Sequence, residues 1–181
     1  MKKTGFGLSG LLIATIRVKP EEFDLIRIGG VDVREWKASE GRAVLTRPNA
    51  FVNQGLNAAL DRIFNLSPPT QPTRIQLSSD NTAVTAATTT MGGTVSNKAF
   101  SPAATRSNQT VTAGADFTQA DVSFSIRKVG LLNTATDAGT GLYDVIGGAG
   151  VSPYNQAFTI DLTSTTSFTL TMQIQVTASA T

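Results

Sequence analysis

The residues of this chain best suited to acid–base work are six aspartates beyond residue 79: Asp80, Asp116, Asp121, Asp137, Asp144 and Asp161. Two converging carboxylates can act as general acid and general base, but no spacing here requires any two of them to meet. Each lies beside a turn or on an alternating stretch, where Asp supports turn geometry or faces water. Asp137-x-Gly139-x-Gly141 lacks the oxygen-rich run of a calcium loop. Gly147-Gly148-Ala149-Gly150 is followed by neither a Lys-Ser/Thr pair nor a helix, so it does not read as a phosphate loop. The chain has no histidine and no cysteine. The usual general base, the thiol nucleophile, the disulfide and the commonest metal ligands are thereby absent. The residues nominate no catalytic side chain, no metal site and no cofactor.

The elements that would have to position any site are mostly strands. Phe158-x-Ile160-x-Leu162 and Phe168-x-Leu170-x-Met172-x-Ile174-x-Val176 place apolar side chains at every second position, the period of a strand with one buried face. The short polar turn between them predicts a β-hairpin. On the other face of the last strand, Thr169, Thr171, Gln173, Gln175 and Thr177 form an uncharged stripe that suits either solvent or a neighbouring subunit. Residues 11–19 predict a first strand, and Leu25–Ile28 with Val31–Val33 predict a hairpin turned by Gly29-Gly30. Further strands are expected at 74–78, 94–100, 109–112, 122–126 and 142–146, with Val129–Leu132 buried and an irregular loop at 83–90. One helix is expected at Asn53–Phe64, where Leu56, Leu60, Ile63 and Phe64 share a stripe. Asn49 or Asn53 is its candidate cap, and the prolines of residues 68–72 end it.

Short strands separated by turn signals indicate a mainly β fold, an antiparallel β-sandwich with one short α-helix. Met1-Lys2-Lys3 and the apolar stretch after it imitate a signal peptide, but Arg17-Val18-Lys19-Pro20 follows instead of a small-x-small site. The stretch is too short to span a membrane, and is expected to be an ordered arm or a strand. The chain thus divides into residues 1–48, an extended N-terminal arm with a hairpin, and residues 49–181, a helix plus sandwich. Leu11, Leu12, Ile13 and Ile16 in the arm are candidate contact-makers, because a compact domain has little reason to leave such residues at its terminus. Trp36 suits either a packing anchor or the centre of an interface.

Charged residues make up only 15% of the chain, against about a quarter in an average domain, which lowers repulsion between copies. Eleven of the fifteen Lys and Arg lie in residues 1–78, yet nowhere do they cluster as a track for phosphates. Neither nucleic acid nor membrane is expected as a partner.

Several stretches in order resemble small structural proteins of tailed bacteriophages. They are the helix Asn53-x-Gly55-Leu56-Asn57-x-x-Leu60-Asp61-Arg62-x-Phe64 and the following Ile75-x-Leu77-Ser78-Ser79-Asp80-Asn81-Thr82-Ala83-Val84. After these come Thr90-Met91-Gly92-Gly93-Thr94, Thr105-Arg106-Ser107 and Ile126-Arg127-Lys128-Val129-Gly130-Leu131-Leu132-Asn133. The likeness runs from about residue 49 to the end and leaves the first 48 residues unmatched. It implies a non-enzymatic virion component, a homo-oligomeric subunit associating with other virion proteins at a tail, baseplate or fibre attachment. A capsid cement protein is the alternative location. A carbohydrate-binding β-sandwich using Tyr143 and Tyr154, and a lyase-like enzyme using Asp144 and Tyr143, are the competing classes.

Overall fold

The computed structural model describes residues 6–51, 53–64, 71–133, 142–147 and 157–180. In chain order the elements are β1 (Phe6–Val18), β2 (Arg27–Gly29), β3 (Asp32–Lys37), β4 (Arg42–Phe51), α1 (Asn53–Phe64), β5 (Arg74–Ser78), β6 (Val95–Ala99), β7 (Thr105–Ser107), β8 (Thr110–Thr118), β9 (Lys128–Leu132), β10 (Leu142–Gly147), β11 (Thr159–Asp161) and β12 (Phe168–Ala180). All strand pairings are antiparallel among the described residues.

The long strand β4 organises the two layers. Residues 42–49 pair with β1, and residues 42–46 also pair with β3 on the other side. Its last two residues, Ala50 and Phe51, pair instead with β10. The first layer is β3-β4-β1-β12-β8-β7, and the second runs β10-β9-β5-β6. On the far side the layers meet again. Ser101 N–H donates to the Gly114 carbonyl at 2.8 Å, and Lys98 Nζ sits 2.6 Å from Asp121 Oδ2. Between the layers lies one core, with Leu12, Ile16, Leu45, Phe117, Leu170 and Met172 from the first and Ile75, Leu77, Val129 and Leu131 from the second. The antiparallel sandwich read from the alternating pattern is the fold of the chain.

The N-terminal arm is corrected. β1 pairs with β12 without a break from Phe6↔Ala180 to Val18↔Phe168, and with β4 on its other side. A stretch with an apolar residue at every second position and neighbours on both edges is an interior strand, not an extension. The division expected after residue 48 falls inside β4.

Two hairpins are corrected for a common reason. β11 pairs with β2, whereas β12 pairs with β1 and β8. Likewise β2 and β3 belong to different sheets. Alternation fixes which face is buried but does not choose the hydrogen-bonding partner. Phe158, Ile160 and Leu162 are buried as their spacing requires, and so are Phe168, Leu170, Met172 and Ile174. The turn between these two runs is therefore a corner from one sheet to the other. Gly30 passes the segment leading into β11 so closely that a Cβ there would lie 2.1 Å from the Ala157 carbonyl oxygen, and its φ of +70° is one L side chains rarely adopt.

The 122–126 stretch forms no strand. Val122 and Ile126 are buried, but Ile126 makes only an isolated bridge to Ile160. α1 spans the expected residues, yet Leu56 and Leu60 are 38% and 52% exposed, so that part of the stripe faces outward. The side chains of the candidate caps, of Ile63 and of Phe64 are not among those described, and the prolines up to residue 69 and most of the Gly-rich passage lie outside the described residues.

Candidate interaction surface

The residues nominated for contact separate into three environments. Leu12 and Ile16 point into the core at 2% and 0% exposure and offer nothing to a partner. Leu11 and Ile13 alternate to the outer face of the same strand, where they are half-buried opposite Gln175 and Gln173 of β12. Thr171 beside them donates to Asp116 Oδ1 at 2.6 Å, and Thr110 and Thr177 share a hydrogen bond of 2.9 Å. Away from Arg17 and Asp116, this outer face carries Thr, Gln, Leu and Ile.

Trp36 occupies the third environment, the edge. It stands opposite Ala43, a core residue, and Val33 stands opposite Leu45, so both project from the inner face of β3. They are nonetheless 48% and 50% exposed, because β3 is the last strand of its layer among the described residues. Trp36 is partly anchored: its ring meets the buried Phe23 edge-on at a centroid distance of 4.6 Å. Leu25, at the end of the 3-10 turn Pro20–Leu25, is exposed as well. The sequence missed the edge character of β3, since nothing local distinguishes a strand with one neighbour from a strand with two.

The outer face of β3 is charged. Glu35 Oε1 lies 3.2 Å from Lys37 Nζ and 3.1 Å from an Arg42 guanidinium nitrogen, and Lys37 also reaches Glu40 at 3.5 Å. The hydrogen bond from Lys37 to Glu35, with the charges of Glu35 and Glu40, raises the Lys37 pKa above its ordinary value. Arg34 Nε donates to Thr46 Oγ1 at 2.8 Å. A bulge at Arg34 puts Val33 and Glu35 opposite consecutive residues of β4, Leu45 and Val44. Near Asp32 a shallow cleft is lined by Gly30, Val31, Arg47, Pro48 and Ala157. Arg47 is buried there over the Phe158 ring, 5.9 Å from its centroid, and burial draws its pKa down against the opposing charge of Asp32.

Among the described side chains the aspartates do not converge; each is held by its own partners. Asp80 is the most committed. Its carboxylate receives Lys128 Nζ at 2.5 Å, the Thr82 hydroxyl at 2.5 Å and the Thr82 N–H at 3.1 Å. Lys128 is 1% exposed and also donates to Thr82 Oγ1 and the Met91 carbonyl. The pair ties the irregular loop 79–94 onto β9, while Val84 and Met91 plug it into the interior. Burial pushes the Asp80 carboxyl up, but the bonds from Lys128 and Thr82 outweigh it and hold the pKa at about 2.

Asp121 accepts from the Thr118 N–H and hydroxyl and from Lys98. Asp161 accepts from the Thr163 N–H and hydroxyl at the sheet-to-sheet corner. In both, these bonds overcome burial and lower the pKa. Glu22, not singled out by sequence reasoning, bonds the Thr166 N–H at 2.9 Å and the Thr166 hydroxyl, clamping the 3-10 turn to the same corner. Asp137 and the side chains of Asp144, Tyr143 and Tyr154 lie outside the described residues. Among the described residues no group of three His, Cys, Asp or Glu could hold a metal ion, and no helix is long and apolar enough to cross a membrane.

Compared with protein-family models, curated proteins and solved structures, the chain matches none of them.

Proposed function

We propose that this chain is a structural subunit of a tailed-bacteriophage virion, seated at the tail, baseplate or a fibre attachment, and that it works by association with neighbouring subunits. The single observation that carries this reading is the contrast between bound acids and an open edge. Asp80, Asp121 and Asp161 are each occupied by turn or ion-pair partners, while Trp36 and Val33 stand half-exposed on an edge strand. A surface of that kind serves contact, where aromatic anchors contribute most of the binding energy. The sparsely charged outer face carrying Leu11 and Ile13 adds area that can meet another subunit while stripping water from few charges. The ordered motifs from residue 49 onward supply the virion setting.

The test is fractionation. Particles are purified from a lysate in which the chain is expressed from its own genome, then dissociated into heads and tails and probed for the chain. The expected result is its recovery with tails. Recovery with heads would move the subunit to the capsid shell as a cement protein, and absence from both fractions would overturn the virion reading.

A further inference from the structure

The β3 edge carries a pattern that is complementary to itself. Its six residues read Asp32-Val33-Arg34-Glu35-Trp36-Lys37. Turned about a two-fold axis between Arg34 and Glu35, a second copy of the strand lies antiparallel to the first. Asp32 then faces Lys37 of the second copy, Val33 faces its Trp36, and Arg34 faces its Glu35. Every opposed charged pair is of opposite sign, and the remaining pair is apolar.

The faces agree as well. Residues directly opposite one another in an antiparallel pair share a face of the sheet. Val33 and Trp36 stand opposite the core residues Leu45 and Ala43, while Asp32, Glu35 and Lys37 stand opposite Thr46, Val44 and Arg42 on the outer side. Arg34, the bulged residue, reaches Thr46 on that outer side. The order outer, inner, outer, outer, inner, outer is the same in both directions, so the two-fold matches inner with inner throughout. Shifting the register by one residue either way puts Arg34 against Arg34 or Glu35 against Glu35 and opposes inner with outer residues. A bulge normally blunts an edge against a flat partner, but a two-fold copy carries the same bend at the same place.

We propose that β3 is a homodimerisation edge: two copies of this chain pair β3 to β3 about a two-fold axis between Arg34 and Glu35, making one sheet continuous across both molecules. Such an isologous contact uses one patch twice and adds a strand to a sheet edge through main-chain hydrogen bonds. Val33 and Trp36, apolar and half-exposed in the single chain, are covered by their counterparts. The inference deepens the subunit reading above and rests on it for its biological use. Its geometry rests on β3 alone.

The experiment is a charge swap read by sedimentation velocity over a concentration series of the full chain. The contact is short and belongs at the small end of interface sizes, so wild type is expected to shift from monomer to dimer as concentration rises. Asp32→Lys places like charges at both ends of the strand pair, and so does Lys37→Asp; each alone is expected to dissociate at least tenfold more readily. Mixed in equal amounts, the two variants restore opposite charges at both ends and are expected to form a heterodimer. A folding defect would not be rescued by mixing. As the chain has no cysteine, oxidised mixtures of Val33→Cys and Trp36→Cys provide a second readout, expected to cross-link to each other in preference to themselves. A wild type that stays monomeric throughout overturns the dimer, as does a dimer indifferent to both swaps or a mixture that fails to reassociate. None of those results bears on whether the chain is recovered with particle tails, so the dimer and the virion reading stand or fall separately.

Discussion

β1 and β3 run along opposite sides of the same strand, β4, and both carry apolar residues that the sequence marks for contact. Their fates differ because β1 has a second neighbour. β12 covers its other edge over the whole of Phe6–Val18, and the second layer covers its inner face, so Leu12 and Ile16 end at 2% and 0% exposure. β3 has β4 on one side and no paired strand on the other among the described residues, and its inner-face residues Val33 and Trp36 remain half-exposed. Hydrophobicity alone therefore does not mark an interface here. The number of paired edges separates a strand that holds the fold together from one that is open to a second molecule.

The most drastic way to test this is to remove β1. Read as an arm, residues 1–20 would be dispensable for folding. As an interior strand they supply the pairing of both β12 and β4 and part of the core. Their deletion is expected to abolish cooperative unfolding, with loss of the sharp thermal transition and rapid degradation in limited proteolysis. A truncated chain that melts like wild type would restore the arm. In the full chain, Ile16→Ala removes a fully buried side chain and is expected to cost about 2–5 kcal/mol in urea unfolding.

Ionic groups make the same distinction at a smaller scale. Lys128 is sealed against Asp80, whereas the cluster of Glu35, Lys37 and Arg42 is partly open to water. Asp80→Ala leaves the Lys128 ammonium buried without its counter-charge and is expected to cost about 3–5 kcal/mol. Lys128→Met removes the buried charge itself and leaves Asp80, whose side chain is 18% exposed, with water and Thr82; the loss is expected to be clearly smaller. Equal losses for the two variants would show that the site is not sealed.

The pair also sets an acid limit. The Asp80 pKa is about 2 in the folded chain against 3.8 ordinarily. The unfolded chain therefore binds more protons in that interval, and stability rises with pH across it. The contribution is complete above about 4 and disappears as pH falls through about 2. Urea midpoints of wild type and Asp80→Asn are expected to converge as pH falls from 4 to 2. A gap that stays constant down to pH 2 would separate Asp80 from acid unfolding.

How much of this was legible in the sequence follows from what period-two alternation encodes. It identifies the inner face of β12 through Leu170, Met172 and Ile174, and that of β11 through Ile160, because burial is a property of each strand alone. It does not encode which strands pair. Hence the corner at Thr163–Ser167 read as a hairpin turn, and the Gly29-Gly30 pair read as a turn between strands that lie in different sheets. Lys128 was also hidden. It adjoins an apolar stretch, and its partner Asp80 is 48 residues away, brought close only because β5 and β9 are paired. The edge character of β3 is equally global, since it depends on β3 having no second paired strand among the described residues.

The finest test of the contrast compares matched substitutions in the two strands. Val33→Thr keeps a β-branched side chain on the open edge, and at concentrations where the chain is monomeric it is expected to change stability by no more than about 0.5 kcal/mol. Trp36→Thr also gives up the edge-on contact with Phe23, a pairing of a kind worth about 0.5–1.5 kcal/mol beyond its buried area. A modest loss is therefore expected there too. Both changes remove apolar surface from the proposed dimer edge, so their larger effect should appear in the dimer dissociation constant. The corresponding change in β1, Leu12→Thr, puts a hydroxyl into a core position at 2% exposure and should reverse the order, with a large loss of stability visible in the monomer. If Val33→Thr destabilised the monomer as much as Leu12→Thr, the inner face of β3 would belong to the core after all, and the distinction between a closed and an open neighbour of β4 would fail.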